Sequence, residues 1–248
     1  MKNYGLIGYP LSHSFSKKFF ENKFANENIN ANYVNYELES IELFPKLFNR
    51  ISLSGLNVTI PYKKAVLPYL DELDDVSLSI GAVNTIVPLL KNGRWFLKGF
   101  NTDVYGFRQS IRSLLKNHHQ KALIFGTGGA SKAVAYVLNQ YGITVNFISR
   151  SQLGPNVFSW DKMNDNLIEQ HGILVNTTPV GMFPKLNECL PIPFNHVGAN
   201  HLVIDLIYNP EETLFLKNCK SKGAQVLNGH RMLTCQALKS WEIWNQLE

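Results

Sequence analysis

Lys121-Ala122-Leu123-Ile124-Phe125-Gly126-Thr127-Gly128-Gly129-Ala130-Ser131 is the stretch on which the fold turns. A short apolar run leads into a glycine turn, and a helical pattern opens at Gly129. This strand, turn and helix order is the context a dinucleotide fingerprint requires. Gly126 permits the tight turn and Gly128 lets the backbone approach a pyrophosphate. The helix opening at Gly129 then points its free N–H groups and positive dipole end at that anion. Ser131 stands where the third small residue belongs, so the candidate cofactor loop comprises Gly126, Gly128, Gly129, Ala130 and Ser131. Around it, strands at 121–125, 143–148, 173–175, 202–207 and 224–227 alternate with helices at 129–141, 160–171, 210–222 and 231–246. That rhythm means βαβ units and a parallel sheet. The second strand ends at Ser149-Arg150-Ser151, where an NAD site would usually carry an acid for the ribose 2′-OH. The acid is absent, and Ser149 and Arg150 fit a 2′-phosphate instead, so the expected cofactor is NADP.

Upstream the pattern is also α/β. Strands are expected at 4–8, 33–38 and 55–59, with a helix after Ser14 and Pro61 in the first turn of another. Residues 81–90 and 95–99 flank Lys91-Asn92-Gly93-Arg94, and an Asn-Gly between apolar runs is a strong hairpin signal. The hairpin makes this first sheet mixed. After Asp103 the apolar residues Val104, Phe107, Ile111, Leu114 and Leu115 recur at helical spacing, which predicts a helix leading from one domain to the next.

Composition narrows the class. The 248 residues are 45% hydrophobic and 17% charged, as in a globular chain of one large or two modest domains. Uncharged stretches such as 76–90 fall short of the ~20 apolar residues that span a bilayer. Residues 1–4 lead directly into mixed sequence without a signal-peptide pattern, so the cytoplasm is the expected compartment. Cys189, Cys219 and Cys235 form no C-x-x-C motif and read as buried small hydrophobes. The formal charge is +5, yet between Val104 and Trp160 there is no Asp or Glu while Arg108, Arg112, Lys116, Lys121, Lys132 and Arg150 lie there. Basic residues scattered singly suit a domain that holds one compact polyanion better than a nucleic-acid groove. The partner expected is a small molecule, with no nucleic acid and no membrane, for a monomer or homodimer.

Several polar residues sit in apolar settings. Asn84 interrupts the run Gly81-Ala82-Val83-Asn84-Thr85, where an unpaired amide would cost ~1–3 kcal/mol, so it either satisfies backbone or reaches a ligand. Thr102 or Asp103 in Asn101-Thr102-Asp103 is placed to cap the linking helix. Gln236 lies three or four residues from Met232 and Leu233 on a face that should be apolar, so it wants a buried partner. Lys63 follows a strand end in Asn57-Val58-Thr59-Ile60-Pro61-Tyr62-Lys63, where a lone Lys is ordinarily a solvated charge. Ser12-His13-Ser14 has no G-x-S-x-G elbow to make a hydrolase of it, and His13 reads as a packed loop residue. Adjacent His118 and His119, at one helix end, point in different directions without acidic ligands nearby, so no metal is expected.

Ser12-His13-Ser14-Phe15-Ser16, Asn57 through Lys63, Gly81 through Thr85, Asn101-Thr102-Asp103, Gly126 through Ser131, Asn176-Thr177-Thr178-Pro179-Val180-Gly181, Tyr208-Asn209-Pro210 and Gly229 through Gln236 follow one another along nearly the whole chain. Together they resemble the shikimate dehydrogenase family. The resemblance implies two α/β domains with the substrate in the cleft between them: a substrate domain of 1–102 plus 230–248 with the closing helix, and a Rossmann-like NADP domain of 103–229. It implies the reversible NADPH-dependent reduction of 3-dehydroshikimate to shikimate, on the route to chorismate and the aromatic amino acids. Lys63 and Asp103 match the catalytic pair. Ser14, Ser16, Thr59, Asn84, Tyr208 and Gln236 match substrate contacts, and Gly229 matches a backbone contact to the nicotinamide. Two departures stand out. The second Arg common after Arg150 is replaced by Gln152-Leu153-Gly154, and His230-Arg231 stands where small apolar residues are usual. The alternatives are a quinate/shikimate dehydrogenase preferring NAD and a non-catalytic nucleotide-binding protein of the same fold.

Overall fold

In the computed structural model, residues 1–11, 14–48, 51–151 and 154–246 are described. Their contacts divide the chain into two compact units, Met1–Gly106 with Thr234–Glu248, and Phe107–Leu233. The first contains β1 (Lys2–Gly8), α1 (Phe15–Asn26), β2 (Ala31–Glu37), α2 (Phe44–Phe48), β3 (Gly55–Val58), α3 (Tyr62–Ala65), β4 (Glu72–Leu73), α4 (Asp75–Ile80), β5 (Thr85–Lys91) and β6 (Arg94–Phe100). Helix α5 (Thr102–Ile111) begins in this unit and ends in the next. The second unit continues with β7 (Lys121–Phe125), α6 (Gly129–Gln140), β8 (Thr144–Ser149), β9 (Val157–Ser159), α7 (Asp165–Glu169), β10 (Ile173–Asn176), β11 (Leu202–Asp205), α8 (Leu214–Ser221) and β12 (Gln225–Leu227). Helix α9 (His230–Gln246) returns the chain to the first unit.

The first sheet has the order β2-β1-β3-β5-β6-β4 and is mixed: β1 pairs in parallel with β2 and β3, whereas β5 is antiparallel to β3 and β6. The expected hairpin therefore forms, with Lys91 opposite Arg94. One face packs on α1 and α9, where Tyr4, Phe20, Phe24, Tyr33 and Trp244 are buried together. The Trp244 indole N–H donates to the Ile86 carbonyl at 3.1 Å, which fixes α9 to the sheet by a buried polar bond as well as by its apolar face.

The second sheet, β12-β11-β10-β7-β8-β9, is parallel throughout. Its central strands are continuous apolar runs, as burial of both faces demands. The strand order reverses between β7 and β10, and ligands of open α/β sheets bind outside the carboxyl ends of strands at such a switch point.

Four local expectations are corrected. Residues 160–171 do not form one helix: a 3₁₀ turn at Trp160–Lys162 is followed by α7, because the Asn164 side chain takes the Leu167 N–H at 2.9 Å and restarts the chain there. Gly81 does not open a strand but ends α4, which Asp74 caps at its start by accepting from Ser77 N at 2.8 Å. Of the cysteines only Cys219 is fully buried, while Cys189 and Cys235 are half-buried. His118 and His119 lie in the turn beyond α5, with rings meeting edge to face at 4.4 Å. Among the described residues there is no group of three or more His, Cys, Asp or Glu able to hold a metal ion, and no helix long and apolar enough to cross a membrane.

Candidate active site

In the first unit, β3 delivers the chain to α3 through a pinned turn. Thr59 N donates to the Ile7 carbonyl at 2.9 Å and the Thr59 carbonyl accepts from Tyr62 N at 2.9 Å. The buried Tyr62 hydroxyl donates to the Leu38 carbonyl, and the Lys63 carbonyl accepts from Val83 N at 2.8 Å. These bonds hold α3 beside the bend at Asn84 that leads into β5. Lys63 Nζ then reaches Asp103 Oδ2 at 2.6 Å, with its own side chain still 17% exposed. The other carboxylate oxygen, Oδ1, accepts from Asn84 Nδ2 at 2.9 Å.

Asn84 finds its partners within the protein, in backbone on one side and in the Asp103 carboxylate on the other. Asn84 Oδ1 takes the Thr102 N–H at 2.7 Å, so Asn84 caps α5 from the bend that precedes β5. Thr102 and Asp103 are not caps, as the sequence suggested, but the first helical residues. Gln236 is buried on α9, its Oε1 accepting from Asn84 Nδ2 and Thr102 Oγ1, each at 3.4 Å. Thus Lys63, Asn84, Asp103 and Gln236 converge. Ser14 caps α1, accepting from Lys17 N at 3.2 Å, and Ser16 stands in the first turn with its hydroxyl bonded to Tyr33. Ser12 and His13 lie outside the described residues, but Leu11 before them is held by Glu37, which takes its N–H, and by Asn35 Nδ2, which donates to its carbonyl at 3.2 Å.

In the second unit, the glycine loop leaves β7 at the switch point. Gly126 has φ 102°, and a Cβ there would stand 2.9 Å from Thr177 Oγ1, so both conformation and space exclude a side chain. Gly128 is the N-cap of α6 without a side-chain cap bond, is exposed, and has nothing within 4 Å of where a Cβ would be. An open backbone and unclaimed helix N–H groups are what a pyrophosphate needs. Ala130 is half-buried behind it, and the Ser131 hydroxyl is turned inward, donating to the Gly128 carbonyl at 2.6 Å. Ser149 is likewise buried, its Oγ accepting from Ser151 N at 3.3 Å, while Arg150 is exposed at the strand end. Gln152 and Leu153 lie outside the described residues. Arg231 is exposed. Gly229 N donates to the Ile207 carbonyl at 3.0 Å, which brings the Gly229 backbone beside the half-buried Tyr208.

Sequence reasoning missed Asp205, although an acid closing the apolar run Leu202-Val203-Ile204 was a visible signal. Its carboxylate is fully buried and knits the loops at the carboxyl ends of β10 and β11, accepting from Thr213 Oγ1 at 2.7 Å, Ile207 N at 3.0 Å and Asn176 Nδ2 at 3.1 Å. Burial pushes the group up to about 6, against the pull of those three donors. Below its ordinary value of 3.8 the carboxyl is protonated in both folded and unfolded chains. Between there and about 6 the unfolded chain releases a proton that the native state keeps, so this group's contribution to stability falls as pH rises through that window. Asp205→Asn, in which the Thr213 hydroxyl can reverse and accept, is expected to gain on the wild type in urea unfolding as pH rises from about 4 to 7. A stability difference that stays constant across that range would show that Asp205 titrates normally.

The family described as the shikimate dehydrogenase substrate binding domain matches residues 6–86. The shikimate dehydrogenase (NADP(+)) of Clostridium beijerinckii is 39% identical over 100% of this chain and 93% of its own. A crystal structure of shikimate dehydrogenase from Aquifex aeolicus superposes with a TM-score of 0.86 at 33% identity, covering 100% of this chain and 94% of that one. A shikimate 5-dehydrogenase of Thermus thermophilus in complex with NADP(H) and shikimate gives 0.85 at 28% identity, again over 100% and 94%.

Proposed function

The chain belongs to the shikimate dehydrogenase family, and from that premise we propose that it catalyses the reversible NADPH-dependent reduction of 3-dehydroshikimate to shikimate, a step toward chorismate and the aromatic amino acids. The observation that carries the reading to this chain's own residues is the Lys63–Asp103 pair at 2.6 Å, backed by Asn84 and Gln236. NADPH, when bound, supplies the hydride to the substrate carbonyl carbon. Lys63 gives the oxygen its proton in reduction and takes it back in oxidation. Asp103 accepts a hydrogen bond from the same hydroxyl and orients the Lys63 ammonium, an acid–base arrangement of the kind that contributes ~10²–10⁴-fold. Ser14 and Ser16 meet the substrate carboxylate, and Thr59, Asn84, Tyr208 and Gln236 line the ring. The loop from Gly126 to Ser131 holds the pyrophosphate, Ser149 and Arg150 the 2′-phosphate, and Gly229 the nicotinamide. We assign the enzyme to the cytoplasm, where free Cys189, Cys219 and Cys235 remain thiols.

The test crosses shikimate and quinate with NADP and NAD, following nicotinamide reduction by absorbance. Shikimate with NADP is expected to be fastest. Quinate carries an added hydroxyl on the carbon bearing the carboxylate, and two serines at that end leave it crowded and unpaired. The expected preference in kcat/KM is at least about tenfold, or ~1.4 kcal/mol. Equal rates on both acids would favour a dual-specificity enzyme, and no turnover at all a non-catalytic nucleotide binder. Arg150→Ala should weaken NADP much more than NAD, because the planar guanidinium fork has a 2′-phosphate to grip only in NADP. Equal losses would mean that Arg150 merely supports the loop.

A further inference from the structure

Behind the Lys63–Asp103 pair lies a wholly buried set of hydroxyls and amides that the proposed reaction does not use. Ser240 on α9 and Thr85 on β5 are 0% exposed. Their oxygens are 2.8 Å apart, and Ser240 Oγ also lies 3.0 Å from Asn57 Nδ2 and 3.1 Å from Thr102 Oγ1. Thr85 Oγ1 in turn stands 3.1 Å from Asn84 Oδ1.

Hydrogen-bond direction orders this set. The Tyr33 hydroxyl donates to Asn57 Oδ1 at 2.8 Å, so the Asn57 amide nitrogen must face Ser240 and can only donate. Ser240 then has one hydrogen to pass on. The Gln236 carbonyl at 3.0 Å is the preceding helical turn's own acceptor, whereas Thr85 Oγ1 is nearer at 2.8 Å. With Ser240 donating to it, Thr85 sends its hydrogen to Asn84 Oδ1. That oxygen already takes the Thr102 N–H, so the amide nitrogen of Asn84 is left pointing at Asp103. The path Tyr33–Asn57–Ser240–Thr85–Asn84 runs in one sense to the carboxylate, the arrangement in which neighbouring bonds polarise and strengthen one another.

We propose that Ser240 and Thr85 are positioning residues for the dehydrogenase reaction, holding the Asn84 carboxamide in the one orientation that presents an N–H to Asp103; the proposal rests on the function assigned above. Without that chain the Asn84 oxygen keeps only the Thr102 N–H and hydroxyl, at 2.7 and 3.1 Å, so the carboxamide is held less firmly and its bond to the Asp103 oxygen opposite Lys63 loosens. A carboxylate that swings carries the Lys63 ammonium with it, and displacements of this kind from outside the reacting groups cost up to about a hundredfold.

The test uses the full chain in four forms: Ser240→Ala, Thr85→Val, which keeps shape and loses the hydroxyl, Thr85→Ser, which keeps the hydroxyl, and the Ser240→Ala/Thr85→Val double variant. Ser240→Ala and Thr85→Val are each expected to lower kcat for shikimate oxidation about tenfold with KM for NADP unchanged, and Thr85→Ser to stay within about twofold of the wild type. Because both act through one carboxamide, the double variant should be no worse than the weaker single. Unfolding midpoints of the same samples establish that each is folded, and exchange of the Asn84 side-chain amide hydrogens, followed by NMR, reads the orientation without reference to turnover. That exchange should be faster in Ser240→Ala and Thr85→Val. Wild-type kcat with unchanged exchange in those two variants, or a Thr85→Ser as slow as Thr85→Val, would overturn the proposal. A wild-type protein that does not oxidise shikimate would refute the dehydrogenase reading, and the exchange comparison would still decide whether Ser240 and Thr85 hold Asn84.

Discussion

Lys63→Ala is expected to lower kcat for shikimate oxidation by about 10²-fold or more with little change in KM, because the proton transfer exists mainly in the transition state. The substitution leaves the backbone in place. Lys63 sits on the short helix α3 with its side chain partly exposed, Ala is a good helix former, and the backbone bond from Val83 to the Lys63 carbonyl is untouched. Asp103 keeps its bond from Asn84. Lys63→Arg separates charge from proton transfer: it preserves a cation beside Asp103, but a guanidinium does not release its proton near neutral pH. Both variants are therefore expected to be slow in steady-state kinetics, and Lys63→Arg, which keeps a cation beside the buried Asp103, is expected to unfold nearer the wild-type midpoint than Lys63→Ala. Near-normal turnover in Lys63→Ala would remove Lys63 from the chemistry, and a fast Lys63→Arg would reduce its part to electrostatics.

The second large effect concerns space rather than chemistry. A methyl group on Gly229 would overlap the carbonyl of Leu206. Neither backbone can give way alone, since Leu206 N donates to the Asn176 carbonyl at 3.0 Å and Gly229 N to the Ile207 carbonyl at 3.0 Å. Gly229→Ala must therefore push the segment that leads into Tyr208, at a cost of at least about 2 kcal/mol in urea unfolding. It should also weaken NADP and shikimate together, a signature distinct from Arg150→Ala. Unchanged stability and affinity would mean that the close approach of the two backbones is not needed.

Much of the architecture was legible because it rests on local physics. The β7, glycine turn and α6 succession reads from residues 121–140 alone, and the Asn92-Gly93 hairpin needs nothing beyond its own turn chemistry. The errors arose where two local signals competed. Residues 81–90 are apolar enough for one long strand, yet Asp74 caps a helix that runs up to Gly81 and delays β5 to Thr85. Across 160–171 helical spacing outweighed Asn164, a legitimate cap in mid-pattern.

At the candidate site the division is sharper. Residue types and motif order identified Lys63, Asn84, Asp103 and Gln236, and the buried amides announced that they needed partners. Which partners they have depends on contacts across long stretches of chain: Lys63 to Asp103 over 40 residues, Asn84 to Gln236 over 152, Asn57 to Ser240 over 183. Ser240 itself carries no sequence signal, since a serine on a helix reads as solvated until packing shows that its face is buried. The sequence by itself determined most of the elements and the glycine loop, and it singled out the candidate reactive groups, because backbone propensity and side-chain chemistry are properties of short segments. Only the tertiary structure decided how the Asn84 carboxamide is turned, that Asp205 is buried, and that Gly229 has no room for a methyl. Hydrogen-bond direction, desolvation and steric overlap exist only once distant backbones meet.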